Sequence, residues 1–267
     1  VARLSVFGFW ATVPALLAAL ISPVEAATPA DRLPSLGSGT IVAVIDGDTV
    51  RLDDGRTVRL VGVSAPELNP ERSRRGIVEP FAREARVALE KLTRGRTVTL
   101  RAGETPKDRF DRVLAHLVTA EGVWVQGELL RQGAVAVYTF PDNRALAKEM
   151  LALEEEARRA ARGLWGFAET RVQKADEKLV REHFTVIEGR VRSVARVRDT
   201  IYLNFGDDYR RDFTIRLRAG TARAMLRQGL DTTKLEGALV RVRGWVFEEN
   251  GPMVDVTHAE QMARIGG

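Results

Sequence analysis

The sequence predicts a mainly β protein with added helices, an α+β chain built as two small barrels in tandem. Three observations carry this. From Gly37 to Gly62 apolar and polar residues alternate, the period of a half-buried strand. Beyond that stretch, apolar stripes at helical spacing alternate with short strand-like runs. After His183, five strand-like runs and one helix fill about 80 residues, a density that suits a closed or curled sheet.

The elements follow in order. Asp54-Gly55 is a hairpin turn signal inside the alternating stretch. A loop of Asp54, Gly55 and Arg56 sets Val50 opposite Leu60 and Leu52 opposite Val58, with all four on one face. A helix is expected from Pro80 to Thr93, with Phe81, Ala85, Leu89 and Leu92 as its apolar stripe and Gly95 beyond its end. "RTVTLRAGE" and "DRVLAHLVTAEGVWV" read as strands, and "QGELLRQG" as a short helix closed by Gly133. A last helix starts after Pro141 with Asn143 as its N-cap. Its stripe is Leu146, Met150, Leu153, Ala157, Ala161 and Leu164, and Trp165 docks back on the core.

Residues 27–36 read as a linker, and 37–166 as the first domain. The charged segment 167–182 has no strong apolar stripe and reads as a helical linker. Residues 183–267 form the second unit, with strands at "TVIEGRVRSVARV", "TIYLNF", "DFTIRLR", "ALVRVRGWVF" and "PMVDVTH" and a helix at Thr221–Gly229. An oligonucleotide/oligosaccharide-binding (OB) barrel is the expected fold of this unit.

The chain has 267 residues, with 41 Lys and Arg against 36 Asp and Glu. The basic excess is modest and favours a polyanionic partner. There is no cysteine, which excludes disulfides, thiol nucleophiles and Cys-ligated zinc. Residues 1–26 carry Arg3, then an apolar run to Ile21, then Val24-Glu25-Ala26, the pattern of a signal peptide cut before Ala27. The alternative is an uncleaved anchor, but a run of about 17 residues interrupted by Pro14 is marginal for a bilayer of ~30 Å. A periplasmic or secreted protein is expected.

The segment "IDGDTVRLDDGRTVRLVGVSAPE" places Asp46, Asp48 and Glu67 at the two ends of a hairpin with Arg59 between. Each motif alone has a bland reading. Asp-Gly-Asp is usually a turn, a strand arginine is usually solvated, and Pro-Glu after a strand usually starts a helix. His116, His183 and His258 are scattered, lack metal-ligand spacing and read as structural or surface residues.

Taken jointly, "VIDGDTVRL", "RLVGVSAPE", "DRFDRVLAHL", "LLRQGAVAVYTF" and "ARGLW" resemble the staphylococcal (thermo)nuclease family over Gly39–Trp165. The resemblance implies an OB-like five-stranded nuclease barrel with three helices. It implies hydrolysis of phosphodiester bonds in DNA or RNA, with Ca2+ as cofactor. Asp48 matches a calcium-ligand aspartate, and Asp46 an acidic residue beside the metal's water shell. The backbone carbonyl of Ala65 matches a further ligand. Arg59 and Arg112 match the two phosphate-binding arginines, and Glu67 the general base. Tyr138 matches a tyrosine lining the nucleotide pocket, and Arg109 is placed with it as a substrate contact. Two positions depart from the pattern. Ser64 stands where a second metal aspartate is usual, leaving the site short of charge. Asp111 stands where a glycine commonly precedes the second arginine.

The residue types suit the chemistry. Two guanidiniums can grip a phosphate bidentately. A hard cation held by oxygen ligands supplies Lewis-acid stabilisation. A glutamate can take the proton of water. In the second unit, Arg241, Arg243, Trp245 and Phe247 share one strand parity, a basic and aromatic face able to grip a single strand, or else a packed and solvated mixture. That unit resembles a carboxy-terminal OB-like extension of some bacterial secreted nuclease homologues. The rival to the nuclease reading is a nucleic-acid-binding protein of the same fold with impaired catalysis. A carboxylate-pair glycosidase is disfavoured, because arginines suit phosphate better than sugar. No membrane contact after signal cleavage, and no protein partner, is inferred.

Overall fold

The computed structural model describes residues 27–168, 170, 172–179 and 183–266, so the expected signal peptide lies outside the described residues. The first unit comprises β1 (Ser35–Asp46), β2 (Thr49–Leu52), β3 (Thr57–Leu60), β4 (Val63–Ser64), α1 (Ala82–Thr93), β5 (Thr97–Lys107), β6 (Val113–Thr119), α2 (Val125–Gln132), β7 (Ala136–Val137) and α3 (Ala147–Arg159). The second comprises β8 (Gln173–Lys174), β9 (His183–Arg190), β10 (Ser193–Val197), β11 (Thr200–Asn204), β12 (Thr214–Arg218), α4 (Ala219–Arg227), β13 (Leu239–Glu248), β14 (Pro252–Val256) and β15 (Met262–Arg264).

The first unit is a closed barrel in the order β1-β2-β3-β6-β5, with β3 and β6 parallel. Alternation along the strands buries Ile41, Val50, Leu52, Val58, Leu60, Leu100 and Leu117 inside it. α1 covers the barrel with Ala82, Ala85 and Leu89. α2 adds Leu129 and Leu130 to the same core.

Four local expectations are corrected. The β2–β3 hairpin pairs Val50 with Val58, and Leu52 closes on Arg56, so its loop is Asp53-Asp54-Gly55. Gly55 has φ +86°, the left-handed position that ends a three-residue hairpin loop, and this moves the register by two. The four apolar residues keep their common face, since a shift of two preserves parity. Second, α3 starts at Ala147, and Asn143 is not its cap. Asn143 is buried and ties the preceding loop to β5, accepting from Glu104 N at 3.0 Å and donating to Thr105 O at 3.0 Å. Third, part of 27–36 belongs to the barrel. Thr28 and Asp31 cap a 3-10 turn at Pro29–Arg32 that buries Ala30 in the core, and Ser35 opens β1. Fourth, no helix occurs among the described residues of 167–182. Without an apolar stripe nothing holds a helix there; Gln173 and Lys174 pair in parallel with β9, and Leu179 enters the second core.

The second unit repeats the plan. β9 and β10 are the two ends of one bent run: Val191 N donates to Ala238 O and Arg192 N to Asn204 O, which joins the ladders on either side. The order β10-β11-β12-β14-β13-β9 therefore curls back on itself. β12 and β14 are parallel, like β3 and β6, and α4 lies between the third and fourth strands as α1 does. Even the turn is shared. Asp48 O accepts from Leu60 N at 2.9 Å, and Asp199 O from Ala219 N at 2.7 Å. Thr49 pairs with Arg59, and Thr200 with Arg218. The two barrels thus carry one strand plan on sequences that show no plain repeat.

A polar seam joins them. Arg243 of β13 forks onto Glu154 of α3 at 2.9 and 2.8 Å, and its Nη1 also donates to Val137 O at 3.1 Å. Glu154 accepts from Val137 N at 2.6 Å. The side chains are 5% and 0% exposed. Arg241 bridges Glu155 of α3 at 2.7 Å and Glu188 of β9 at 2.6 Å. Thr139 and His258 share a hydrogen bond of 2.7 Å. An apolar patch completes the junction: Trp165, Leu164, Ala136 and Ala157 meet Val186, with Phe184 against its rim. Removing one partner of a buried pair leaves an uncompensated charge, which costs about 3–5 kcal/mol. Arg243→Ala removes the fork but leaves Glu154 with Arg158, whose Nε lies 3.4 Å from Glu154 Oε1, so the loss in urea unfolding should fall near the lower end of that scale, about 3 kcal/mol. A loss under about 1 kcal/mol would contradict the burial described for this pair.

Candidate active site

The turn between β1 and β2 consists of Gly47 and Asp48, with Asp46 paired to Thr49 across it. Asp48 sits in the turn, outside strand parity; the β1–β2 ladder shifts register between Val44 and Asp46 beside it, while the β2–β3 ladder that carries Arg59 is regular. Its carboxylate is 7% exposed by residue and makes three bonds. Oδ1 accepts from Thr49 Oγ1 at 2.9 Å; Oδ2 accepts from Ala65 N at 2.9 Å and pairs with Arg59 Nη2 at 2.9 Å. One side chain thus fixes the turn, β3 and the segment after β4. Gly47 is required here by a close approach: a Cβ would lie 2.6 Å from Ala65 Cβ and 2.9 Å from Ala85 Cβ.

Glu67 lies after β4 in a loop that Glu79, ahead of α1, clamps. Its N donates to Glu79 Oε2 at 2.9 Å, and Glu79 N donates to Glu67 O at 2.9 Å. Glu67 Oε1 accepts from Asn69 N at 2.8 Å. Arg112 sits in the β5–β6 loop, its Nε donating to Asp108 at 2.7 Å. Asp111 does not compete for it. Asp111 is turned to solvent and pairs with Lys107 at 2.7 Å. Its φ is +61°, a left-handed conformation that aspartate tolerates and glycine favours.

Asp46, Asp48, Arg59, Ser64, Ala65, Glu67 and Arg112 line one cleft of about 840 Å3. Burial, then repulsion from Asp48 and Glu67, pushes the Asp46 carboxyl up to about 7, with Gly47 N and Arg59 acting in the opposite sense. Contacts within the protein engage Nη1 and Nη2 of Arg59, and Nε and Nη2 of Arg112. A guanidinium has five N–H donors, so each retains capacity for a phosphate. Among the described residues no group of three or more His, Asp or Glu is arranged to hold a metal ion. The oxygen-only donor set and the crowding of negative charge at Asp46 nevertheless fit a hard cation in chemistry.

Other expected contacts lie elsewhere. Arg109 does not line the cleft and stacks on Phe110 at 4.8 Å. Tyr138 does not line it either; Phe140 and Phe184 meet its ring edge-on, and its hydroxyl accepts from Trp245 Nε1 at 3.2 Å. Arg241 and Arg243 are consumed by the inter-barrel ion pairs, so they form no nucleic-acid face. Phe247 lies under Arg216 at 5.3 Å and is not in the cleft. Trp245 alone of these four lines it, together with Phe184, Thr185 and Val186. Sequence reasoning missed Arg72, Arg74 and Glu79, which also line the cleft. The basic run "ERSRRG" between Pro70 and α1 was the available signal.

A closed β barrel that presents an acidic turn, two arginines and a glutamate to one cleft defines a protein built to handle a phosphate ester. The comparisons agree. A model of the staphylococcal nuclease homologue family matches residues 57–166. An Escherichia coli protein named an uncharacterized endonuclease is 31% identical over 134 residues, 49% of this chain and 78% of that protein. A thermonuclease of Staphylococcus intermedius is 30% identical over 131 residues, 46% and 72% of the two chains. Endonuclease YhcR of Bacillus subtilis is 30% identical over 136 residues, 48% of this chain and 11% of its own. The chain belongs to the staphylococcal nuclease family, and the family model ends where the second barrel has yet to begin.

Gly47→Ala should destabilise the protein by roughly 1–3 kcal/mol, the usual cost of forcing an extra methyl into packed surroundings. Thermal unfolding checks it. An unchanged midpoint would show that the turn can move off Ala65 freely.

Proposed function

We propose that this protein is a nuclease that hydrolyses phosphodiester bonds in DNA or RNA with calcium as cofactor. The observation that carries the reading is that Asp48, Arg59, Glu67 and Arg112, from four separate segments, line one cleft. Arg59 and Arg112 bind the phosphate oxygens, where planar forks match the geometry and the charge that grows in the transition state. The carboxylate braces on both arginines hold them in place before substrate arrives, and so reduce the ordering needed on binding. Glu67 takes the proton of the attacking water through its free oxygen, its backbone clamped by Glu79. Asp48 and the Ala65 carbonyl would hold the metal, with Asp46 beside them, and a bound calcium would supply Lewis-acid stabilisation of the phosphate. Ser64 leaves this set one carboxylate short, so substrate phosphate contributes to metal retention.

A catalytically impaired nucleic-acid-binding protein is the second reading. The observation that favours it is that both oxygens of Asp48 are already engaged, one of them by Arg59. We also propose export to the periplasm, supported by the sequence pattern of residues 1–26; a periplasmic chain beginning at Ala27 by mass spectrometry tests it, and a full-length cytosolic chain rejects it.

Cleavage of single-stranded DNA by the purified protein, with calcium and with chelator, separates the two main readings. Calcium-dependent cleavage is expected. Glu67→Gln should lower turnover by at least ~10²-fold while folding is retained. Arg59→Lys and Arg112→Lys should also fail, because a point charge does not replace a fork on two oxygens. Binding without cleavage by the wild type would favour the second reading.

A further inference from the structure

The cleft is walled by both barrels. On the nuclease side lie the acidic turn, the two arginines and Glu67; on the other lie Phe184, Thr185, Val186 and Trp245 of the second barrel. The wall is fixed to the nuclease barrel by the buried Arg243–Glu154 fork, two residues from Trp245 on the same strand. Trp245 is itself held. It pairs with Phe184 in the β13–β9 ladder, and its indole N–H donates to Tyr138 Oη at 3.2 Å. The residue is only partly buried. The Arg74 guanidinium, from the loop that carries Glu67, lies over that ring at 4.7 Å.

The same contacts remove the alternative base site. The Tyr138 ring meets Phe140 at 4.8 Å and Phe184 at 5.0 Å, both edge-on, and its hydroxyl is taken by Trp245. Phe110 also lines the cleft but is 65% exposed on a loop, with no ladder to fix its plane. A base whose phosphate rests on Arg59 and Arg112 therefore finds its fixed flat surface at Trp245 and Arg74. Bases stack both on aromatic rings and on guanidinium planes.

We propose that Trp245, with Arg74 stacked over it, is the base-stacking platform of this cleft and makes the enzyme selective for unpaired, single-stranded nucleic acid. The proposal rests on the nuclease reading of the same cleft. In a duplex each base is already stacked and paired, so its face is not available to an indole. In a single strand it is, and each stacked base contributes ~1–3 kcal/mol, or about 5- to 150-fold in affinity. The second barrel then acts on the substrate through the nuclease cleft and not as an independent binding module.

The test uses the full chain and three DNA substrates of equal length: a single strand, the same strand with abasic sites, and the duplex. Rates are measured with calcium, and binding by fluorescence anisotropy with chelator. The wild type should prefer the intact single strand over both others by about tenfold, within the range a stacked base contributes. Trp245→Ala should bring the ratio of intact to abasic strand close to one, mostly through KM, and Trp245→Phe should retain most of it. Equal losses by Trp245→Ala on intact and abasic strands would make the tryptophan a structural wall only and overturn the proposal. So would a wild type that treats the intact and abasic strands alike. The two readings fail separately: preferential binding of the intact strand without any cleavage would fault the nuclease reading and leave the platform standing.

Discussion

The Asp48 carboxylate is the constraint on which the site depends. It sits in a two-residue turn and is nearly sealed from water, yet it bonds to Thr49, Ala65 and Arg59. A buried charge of this kind is tolerable only when its oxygens are satisfied, and here each bond also places another group. The bond to Ala65 N brings the segment leading to Glu67 against the turn. The pair with Arg59 aims a guanidinium that strand parity alone would direct elsewhere. Gly47 makes the approach possible, because any side chain there would meet Ala65 and Ala85.

The second barrel shows what the first has in addition. Asp199 occupies the matching turn, Arg218 the matching strand position, and the backbone bond across the turn is conserved in form. Yet α4 begins directly at Ala219, so the second barrel has no counterpart of the loop from Gly62 to Phe81. That loop carries Glu67, Arg72, Arg74 and Glu79. The loop thus adds Glu67 to a cleft whose Asp48, Arg59 and Arg112 stand on the barrel frame, and the second barrel contributes a wall to that cleft. Two of its arginines, Arg243 and Arg241, lie in the junction, where they pair with Glu154 and Glu155 of α3.

Much of the frame was legible in the sequence because period and turn chemistry are local. The strands of both units, α1, α2 closed by Gly133, and the core face of the hairpin all follow from alternation, apolar stripes and glycine placement. The exact hairpin loop was not, since Asp53-Asp54-Gly55 and Asp54-Gly55-Arg56 satisfy the same composition and only the φ of Gly55 separates them. The cap of α3 was missed because Asn143 has a tertiary partner, β5, that no window of sequence reveals. In the site, Asp48, Arg59, Glu67 and Arg112 converge as the motifs implied. Arg241, Arg243 and Phe247 do not line the cleft with Trp245, because strand parity tells which residues share a face, not which surface covers that face; Tyr138 and Arg109, implied by the resemblance alone, lie outside the cleft as well. That Trp245 faces the cleft depends on how two barrels dock, and that docking runs through contacts distant in sequence, the Arg243–Glu154 pair among them.

Asp48 and Arg59 are held together in the free protein, and under the proposed function they serve a cation and a phosphate when both arrive. Releasing Arg59 to phosphate opens one acceptor position on Asp48 Oδ2, which keeps its bond to Ala65 N, so the two ligands should assist each other, and reciprocally. Isothermal titration of calcium into the protein, alone and saturated with a cleavage-resistant phosphorothioate single strand, measures this directly. Calcium should bind at least tenfold more tightly with the strand present, and the strand by the same factor with calcium present. Independent binding of the two ligands would contradict it.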